Sequence, residues 1–245
     1  MKNKMQKVFC VIVISLFLSS CIVTSWSPSR GLRGEGNPET YFIKVGDYNR
    51  IRVEGYSIIN FYDGRSDTIR LEIQPNLRDH YEVIVRNSVL ILRPRRGVNF
   101  LTTTPPVVTV TSADIIDLTM TGASVFTTQD TLVSDTLRMN FTGAGRINAS
   151  LDVNTLDIEM SGAGTIDLDG RADSANFRIT GAGRINTTEL LVKDANVRMT
   201  GSGRAQLNVS DSLSVNGSGT VMVEYLGSPQ LNVRTSGLSR VRRLE

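Results

Sequence analysis

The sequence is short of the residues on which most enzyme chemistry is built. It has 2 cysteines and 1 histidine in 245 residues. Cys10 lies inside an apolar leader and Cys21 stands at its end, so neither is free for the fold. That excludes a disulfide framework, a thiolate nucleophile and a Cys-ligated metal together. His80 stands alone beside Asp79 in a turn, and one exposed histidine does not make a multi-histidine zinc site or most His-based triads. Aromatic residues make up 6% of the chain with a single tryptophan, so little is available to stack a sugar. Gly-x-Gly recurs, but with no helix or Lys-Ser/Thr after it, which rules out a phosphate loop. No cofactor is called for.

A basic excess is also missing once the leader is set aside. Lys2, Lys4 and Lys7, the apolar run Val8 to Leu18 and the small pair Ser19-Ser20 form the three parts of an export signal. Without residues 1–20, Lys+Arg falls from 27 to 24 against 24 acids, a formally neutral chain that gives no support to nucleic-acid binding. The leader is too short for a comfortable bilayer span, and no later run is longer or more apolar. Leu18-Ser19-Ser20-Cys21 resembles the lipobox of bacterial lipoproteins. That resemblance implies cleavage before Cys21, lipid on its thiol and a membrane as partner, two or more acyl chains being enough for stable anchoring. Residues 21–38, rich in Ser, Pro and Gly around Trp26, read as a flexible tether.

What is present in abundance is a repeat. Thr-Gly-Ala-Ser at 121, Thr-Gly-Ala-Gly at 142, Ser-Gly-Ala-Gly at 161, Thr-Gly-Ala-Gly at 180, Thr-Gly-Ser-Gly at 200, Asn-Gly-Ser-Gly at 216 and Ser-Gly-Leu-Ser at 236 recur at spacings of 21, 19, 19, 20, 16 and 20 residues. Such spacings fit one coil of a solenoid. Aligned on the first glycine, positions two before it are Met120, Phe141, Met160, Ile179, Met199, Val215 and Thr235. Four before stand Leu118, Met139, Ile158, Phe177, Val197, Leu213 and Val233, and Ile116, Leu137 and Leu156 begin the column six before. Polar residues fill the positions between, a period of two that belongs to strands. Apolar alternation resumes after the turn with Phe126, Ile147, Ile166, Ile185, Ala205, Val221 and Val241.

The expected fold is all-β: a parallel β-helix of about seven coils over residues 111–245. Its corners are Gly122, Gly143, Gly162, Gly181, Gly201 and Gly217. Coils stacked about 4.8 Å apart would make a rod about 34 Å long. Residues 39–110 alternate without the motif and read as an N-terminal cap or first coils, with Gly55 in a divergent one, covering an end that would otherwise expose unpaired strands. Arg240, Arg242 and Arg243 are expected to blunt the far edge.

The segments Gly143-Ala-Gly-Arg-Ile-Asn148 and Gly181-Ala-Gly-Arg-Ile-Asn186, with their alternating strands, resemble the head GIN domain of putative auto-transporter adhesins, a family abundant among Bacteroidota. The resemblance covers residues 40–240 and implies a right-handed parallel β-helix, while carrying over no catalytic residue. Bacteroidota lipoproteins displayed on the surface commonly have acids after the lipidated cysteine. Ile22 to Trp26 has none, so the resemblance points to the outer membrane facing the periplasm, with surface display the other location to test.

Two function classes follow. The first is a non-enzymatic envelope module for adhesion or scaffolding, with envelope glycan or protein as partner. Its candidate ligand-binding column lies three residues after the glycine: Arg146, Thr165, Arg184, Arg204, Thr220 and Arg240. Guanidinium groups there would suit anionic glycan or phosphate. The second is a carbohydrate-processing β-helix enzyme using Asp167 and Asp169 near Asp152 and Asp157. Neighbouring coils are not expected to repeat acids in those columns, which favours the first.

Overall fold

The computed structural model describes residues 31–244. Cys21, the leader and Trp26 lie outside the described residues. No helix among those described is long and apolar enough to cross a membrane.

Successive coils pair in parallel and in register, each residue beside its equivalent one coil on. Leu118 to Gly122 pairs with Met139 to Gly143, and the ladder continues through Gly162, Gly181 and Gly201. The columns read from the sequence become the core: Met120, Phe141, Met160, Ile179 and Met199 are buried, as are Leu118, Met139, Ile158, Phe177 and Val197. Ile116 does not join them. It is 44% exposed, and its neighbour Ile115 turns in instead.

The stack starts earlier than the motif. Gly55 pairs with Gly122, and Ile51 and Val53 sit beneath Leu118 and Met120, so residues 50–62 form a divergent first coil. Below that coil Val89–Pro94 and Val107–Thr111 still pair in parallel, and beyond them the ladders turn antiparallel. A hairpin of Tyr81–Arg86 and Val89–Pro94 extends the sheet before the corner, and Val107–Thr111, Thr68–Ile73 and Glu39–Lys44 extend the sheet after it. The hairpin loop Asn87-Ser88 has φ of 52° and 60°, the twist a two-residue turn needs. A 3-10 turn, Pro75–His80, plugs the end with fully buried Leu77. Cap and rod are locked by a buried polar chain. Tyr81 Oη and Ser57 Oγ lie 2.8 Å apart, Ser57 N–H donates to Ser124 Oγ, and Ser124 Oγ–H donates to the Gly55 carbonyl.

Two expected boundaries move. The tether was expected to reach residue 38, but Leu32–Arg33 pairs with Phe100–Leu101 and Glu35 N–H donates to Asn76 Oδ1, so residues 32–36 already belong to the cap. The sixth corner is Gly219, not Gly217. Gly219 pairs with Gly201 and has φ of +106°, whereas Gly217 is buried in strand beside Met199. The glycine spacings there are 18 and 18 residues, ending at Gly237. Accordingly Val215 lies beside Val197, and Val223 rather than Val221 continues the column of Ala205.

At each corner the N–H after the glycine donates to the previous coil's glycine carbonyl, as from Ala163 to Gly143 at 2.9 Å and from Ala182 to Gly162 at 2.8 Å. The approach is close enough that a Cβ on Gly162, whose φ is +131°, would lie 2.2 Å from the Gly143 oxygen. In the last coil Gln230–Gly237 has a partner on one side alone, leaving Leu231 48% and Val233 42% exposed.

Candidate functional site

In-register stacking turns each outward sequence position into a column of side chains along the rod, so a site here is a set of columns. Three faces bear on function.

The arginine column after the corner contains Ile58, Val125, Arg146, Thr165, Arg184, Arg204, Met222 and Arg240. Met222 replaces the expected Thr220, because the corner shift moves the column by two. The four arginines do not make an unbroken row: Thr165 and Met222 interrupt it. Arg204 is also engaged, its Nε 3.6 Å from Glu224 Oε2 and its Nη2 3.1 Å from Met222 Sδ. Glu224, buried, also accepts from Arg242 and from Gln206 Nε2 at 3.0 Å. The Arg242 hydrogen bond leads the causes that hold its carboxyl below the ordinary carboxylate range. This end of the column is therefore a structural ion cluster, and none of the hollows described below is lined by the four arginines.

The carboxylates partly gather. Asp152 is taken by a bidentate fork from Arg171, at 2.6 and 2.7 Å, which holds its pKa down, and Asp157 accepts from Asn176 Nδ2 at 2.9 Å. Contrary to expectation, a neighbouring coil does supply an acid. A bulge between Asp167 and Asp169 sets Glu189 beside Asp169, and these three acids line an open hollow of about 230 Å³ with Asn148 and Asn186. Its lining contains no aromatic side chain.

The third face lies before the corner, in the positions five and three residues ahead of the glycine. The first column runs Arg50, Asp117, Arg138, Asp157, Asn176, Asn196, Ser214 and Asn232. The second runs Arg52, Thr119, Asn140, Glu159, Arg178, Arg198, Asn216 and Arg234. Three hollows follow one another along this face. One of about 390 Å³ spans Arg50 to Arg138, one of about 660 Å³ spans Arg138 to Arg198, and one of about 210 Å³ continues from Asn196 and Arg198 to Arg234. Shared lining residues, Arg138 and then Asn196 with Arg198, join them into one trough along the rod.

Within the trough, charge is unevenly spent. Glu159 pairs with Arg178 across adjacent coils; Arg138 lies beside Asp157 in register without a close ion pair. All the acids of the two columns, Asp117, Asp157 and Glu159, lie toward the cap. From Asn196 onward they hold only amides, Ser214, Arg198 and Arg234. Among the described residues neither arginine has an ion-pair partner. The sequence marks these positions only as the polar half of an alternation; the signal that could have singled them out is the recurrence of Asn and Arg in two adjacent columns.

Fold and faces define a class: a repeat β-solenoid presenting ladders of polar side chains in open troughs. The chain belongs to the family "Putative auto-transporter adhesin, head GIN domain", whose model matches residues 47–229. Its backbone is similar to a putative adhesin from Bacteroides fragilis, with a TM-score of 0.81 at 20% identity over 87% of this chain and 100% of that one. It is similar to a putative lipid binding protein from Parabacteroides distasonis, with a TM-score of 0.75 at 20% identity over 88% and 100%. A putative adhesin from Parabacteroides merdae gives 0.67 at 23% identity over 88% and 99%. At such identities these likenesses establish the fold. No curated protein matches the sequence.

Proposed function

We propose that the chain is a non-enzymatic module of the cell envelope, anchored by lipid on Cys21, that binds an extended partner along the trough before its glycine corners. The observation that carries this reading is the trough itself: three hollows joined end to end, lined by side chains from successive coils. A shape of that kind suits a linear partner lying along the rod, in adhesion or in scaffolding. The family's adhesin label agrees with it, and the leader, the lipobox and the lack of acids after Cys21 support an outer-membrane anchor facing the periplasm.

The test has two parts. Lipid labelling of the full chain should be abolished by Cys21→Ser, and external protease should leave the protein intact on whole cells but cleave it after outer-membrane permeabilisation. The lipid-free chain should then retain envelope glycan or protein in array and pull-down experiments, and substitutions in the trough should abolish retention. Retention untouched by trough substitutions would remove the reading. One observation favours a second reading as a carbohydrate-processing enzyme: Asp169 and Glu189 meet across adjacent coils. Sugar release from an array polysaccharide, lost in Asp169→Asn or Glu189→Gln, would replace binding by catalysis.

A further inference from the structure

Resting on the trough as binding surface, we infer its ligand class and its location: a linear, acidic polysaccharide held by the part of the trough away from the cap. The residues are Arg178, Asn196, Arg198, Asn216, Asn232 and Arg234.

Charge is the first reason. Arg178 and Arg198 are direct neighbours in the ladder, and like charges so placed oppose the pairing of their strands. Glu159 neutralises Arg178 from the other side, but nothing in either column does the same for Arg198. Arg198 thus stands beside a like charge with no neutralising neighbour of its own, and a bound anion would supply one. Arg234 follows two coils further on, past Asn216. Planar guanidinium groups make forked contacts with carboxylate or sulfate oxygens, so a cation at each end of this stretch suits a chain bearing regularly spaced anions.

Chemistry between the cations is the second reason. The amides of Asn196, Asn216 and Asn232 each offer donors and an acceptor, as sugar hydroxyls require. The two columns are separated by two residues along the strand, about 6.7 Å, and their rungs by about 4.8 Å. From Arg178 to Arg234 is three rises, about 14 Å, the span of a short oligosaccharide. A single-stranded nucleic acid held by its bases would call for exposed aromatic faces on which they stack. The one aromatic residue lining this stretch, Phe177, is 2% exposed and belongs to the core.

The arginine column after the corner is a built-in control. It is similar in charge, but it lies on another face and its Arg204 is occupied by Glu224. The experiment uses the lipid-free chain with three probes: polygalacturonate, neutral dextran and single-stranded DNA of matched charge. Polygalacturonate should bind and weaken as salt rises, and dextran should not bind. Arg198→Glu and Arg234→Glu should each weaken polygalacturonate by about tenfold or more, the scale of one charge-assisted contact, while Arg184→Glu leaves it unchanged. Arg198→Asn should lose binding without losing stability, which separates a ligand contact from a structural role. Equal binding of DNA, or an equal loss from Arg184→Glu, would overturn the assignment as general attraction to polyanions. Failure of polygalacturonate, with another envelope partner still lost in trough variants, would overturn the ligand class and leave the binding face standing.

Discussion

Placing a single methyl group on a corner glycine separates two costs that the stacked fold combines at that position, backbone conformation and the contact between coils. Gly46, Gly97 and Gly162 form the series. A Cβ on Gly46 meets nothing within 4 Å, and its φ is not positive. Alanine there should be neutral or stabilising by about 0.4 to 1 kcal/mol, through a less free unfolded chain. Gly97 has φ of +80° and open space around it, so alanine should cost the conformational term alone, about 1 to 2 kcal/mol. Gly162 has φ of +131° and the Gly143 oxygen 2.2 Å from the new Cβ. Strain and overpacking there should together cost about 3 to 5 kcal/mol. For a domain of this size each kcal/mol lowers Tm by about 2–4 °C, so Gly162→Ala should melt at least about 6 °C lower. Gly162→Val should fare worse. Urea and thermal unfolding followed by far-UV circular dichroism would rank the three. If Gly162→Ala unfolded together with Gly97→Ala, close coil-to-coil approach at the corner would be refuted.

Two further predictions concern pH. Burial pushes the Tyr81 phenol above its ordinary value of 10.0, so its contribution is fully present below pH 10 and is lost as pH rises toward the folded-state value. Tyr81→Phe should cost about 1–3 kcal/mol and flatten the alkaline limb of the stability profile; an unchanged limb would contradict the burial of the Tyr81 phenol. Arg242 leads the groups that hold Glu224 below its ordinary 4.5, so its contribution is present above that pH and is lost as pH falls through the lower folded-state value. Glu224→Gln should cost about 1–3 kcal/mol at neutral pH and shed part of the acid limb. Equal acid slopes in the variant and the parent chain would contradict the ion cluster.

The repeat was legible because its corners and its inward columns point the same way: Gly143, Gly162 and Gly181 recur with Phe141, Met160 and Ile179 two residues ahead. The error at the sixth corner has a simple cause. Strand alternation has a period of two, so moving the corner from Gly217 to Gly219 leaves Leu213 and Val215 facing inward either way. Only the backbone, through positive φ and the bond from Thr220 N–H to the Gly201 carbonyl, distinguishes the two. Glu189 was missed for a related reason. The bulge lengthens one coil by a residue, so a constant spacing of 19 from Asp169 places Thr188 where Glu189 stands. The trough was hidden because its polar residues look, one coil at a time, like an ordinary solvated face; their meaning comes from stacking. The cap was legible as strands but not as pairings, since its antiparallel ladders join segments without a shared motif.

Core, corners and trough all require consecutive coils to lie in register, and the column just ahead of the corner gives a ruler for that: Thr121, Thr142, Ser161, Thr180, Thr200, Ser218 and Ser236. Spin labels at position 121 paired in turn with 200, 218 and 236 should give mean electron–electron distances near 19, 24 and 29 Å, rising by about 4.8 Å per coil. Distances that fail to climb in even steps, or a 121–236 separation no longer than the 121–200 one, would contradict the stack.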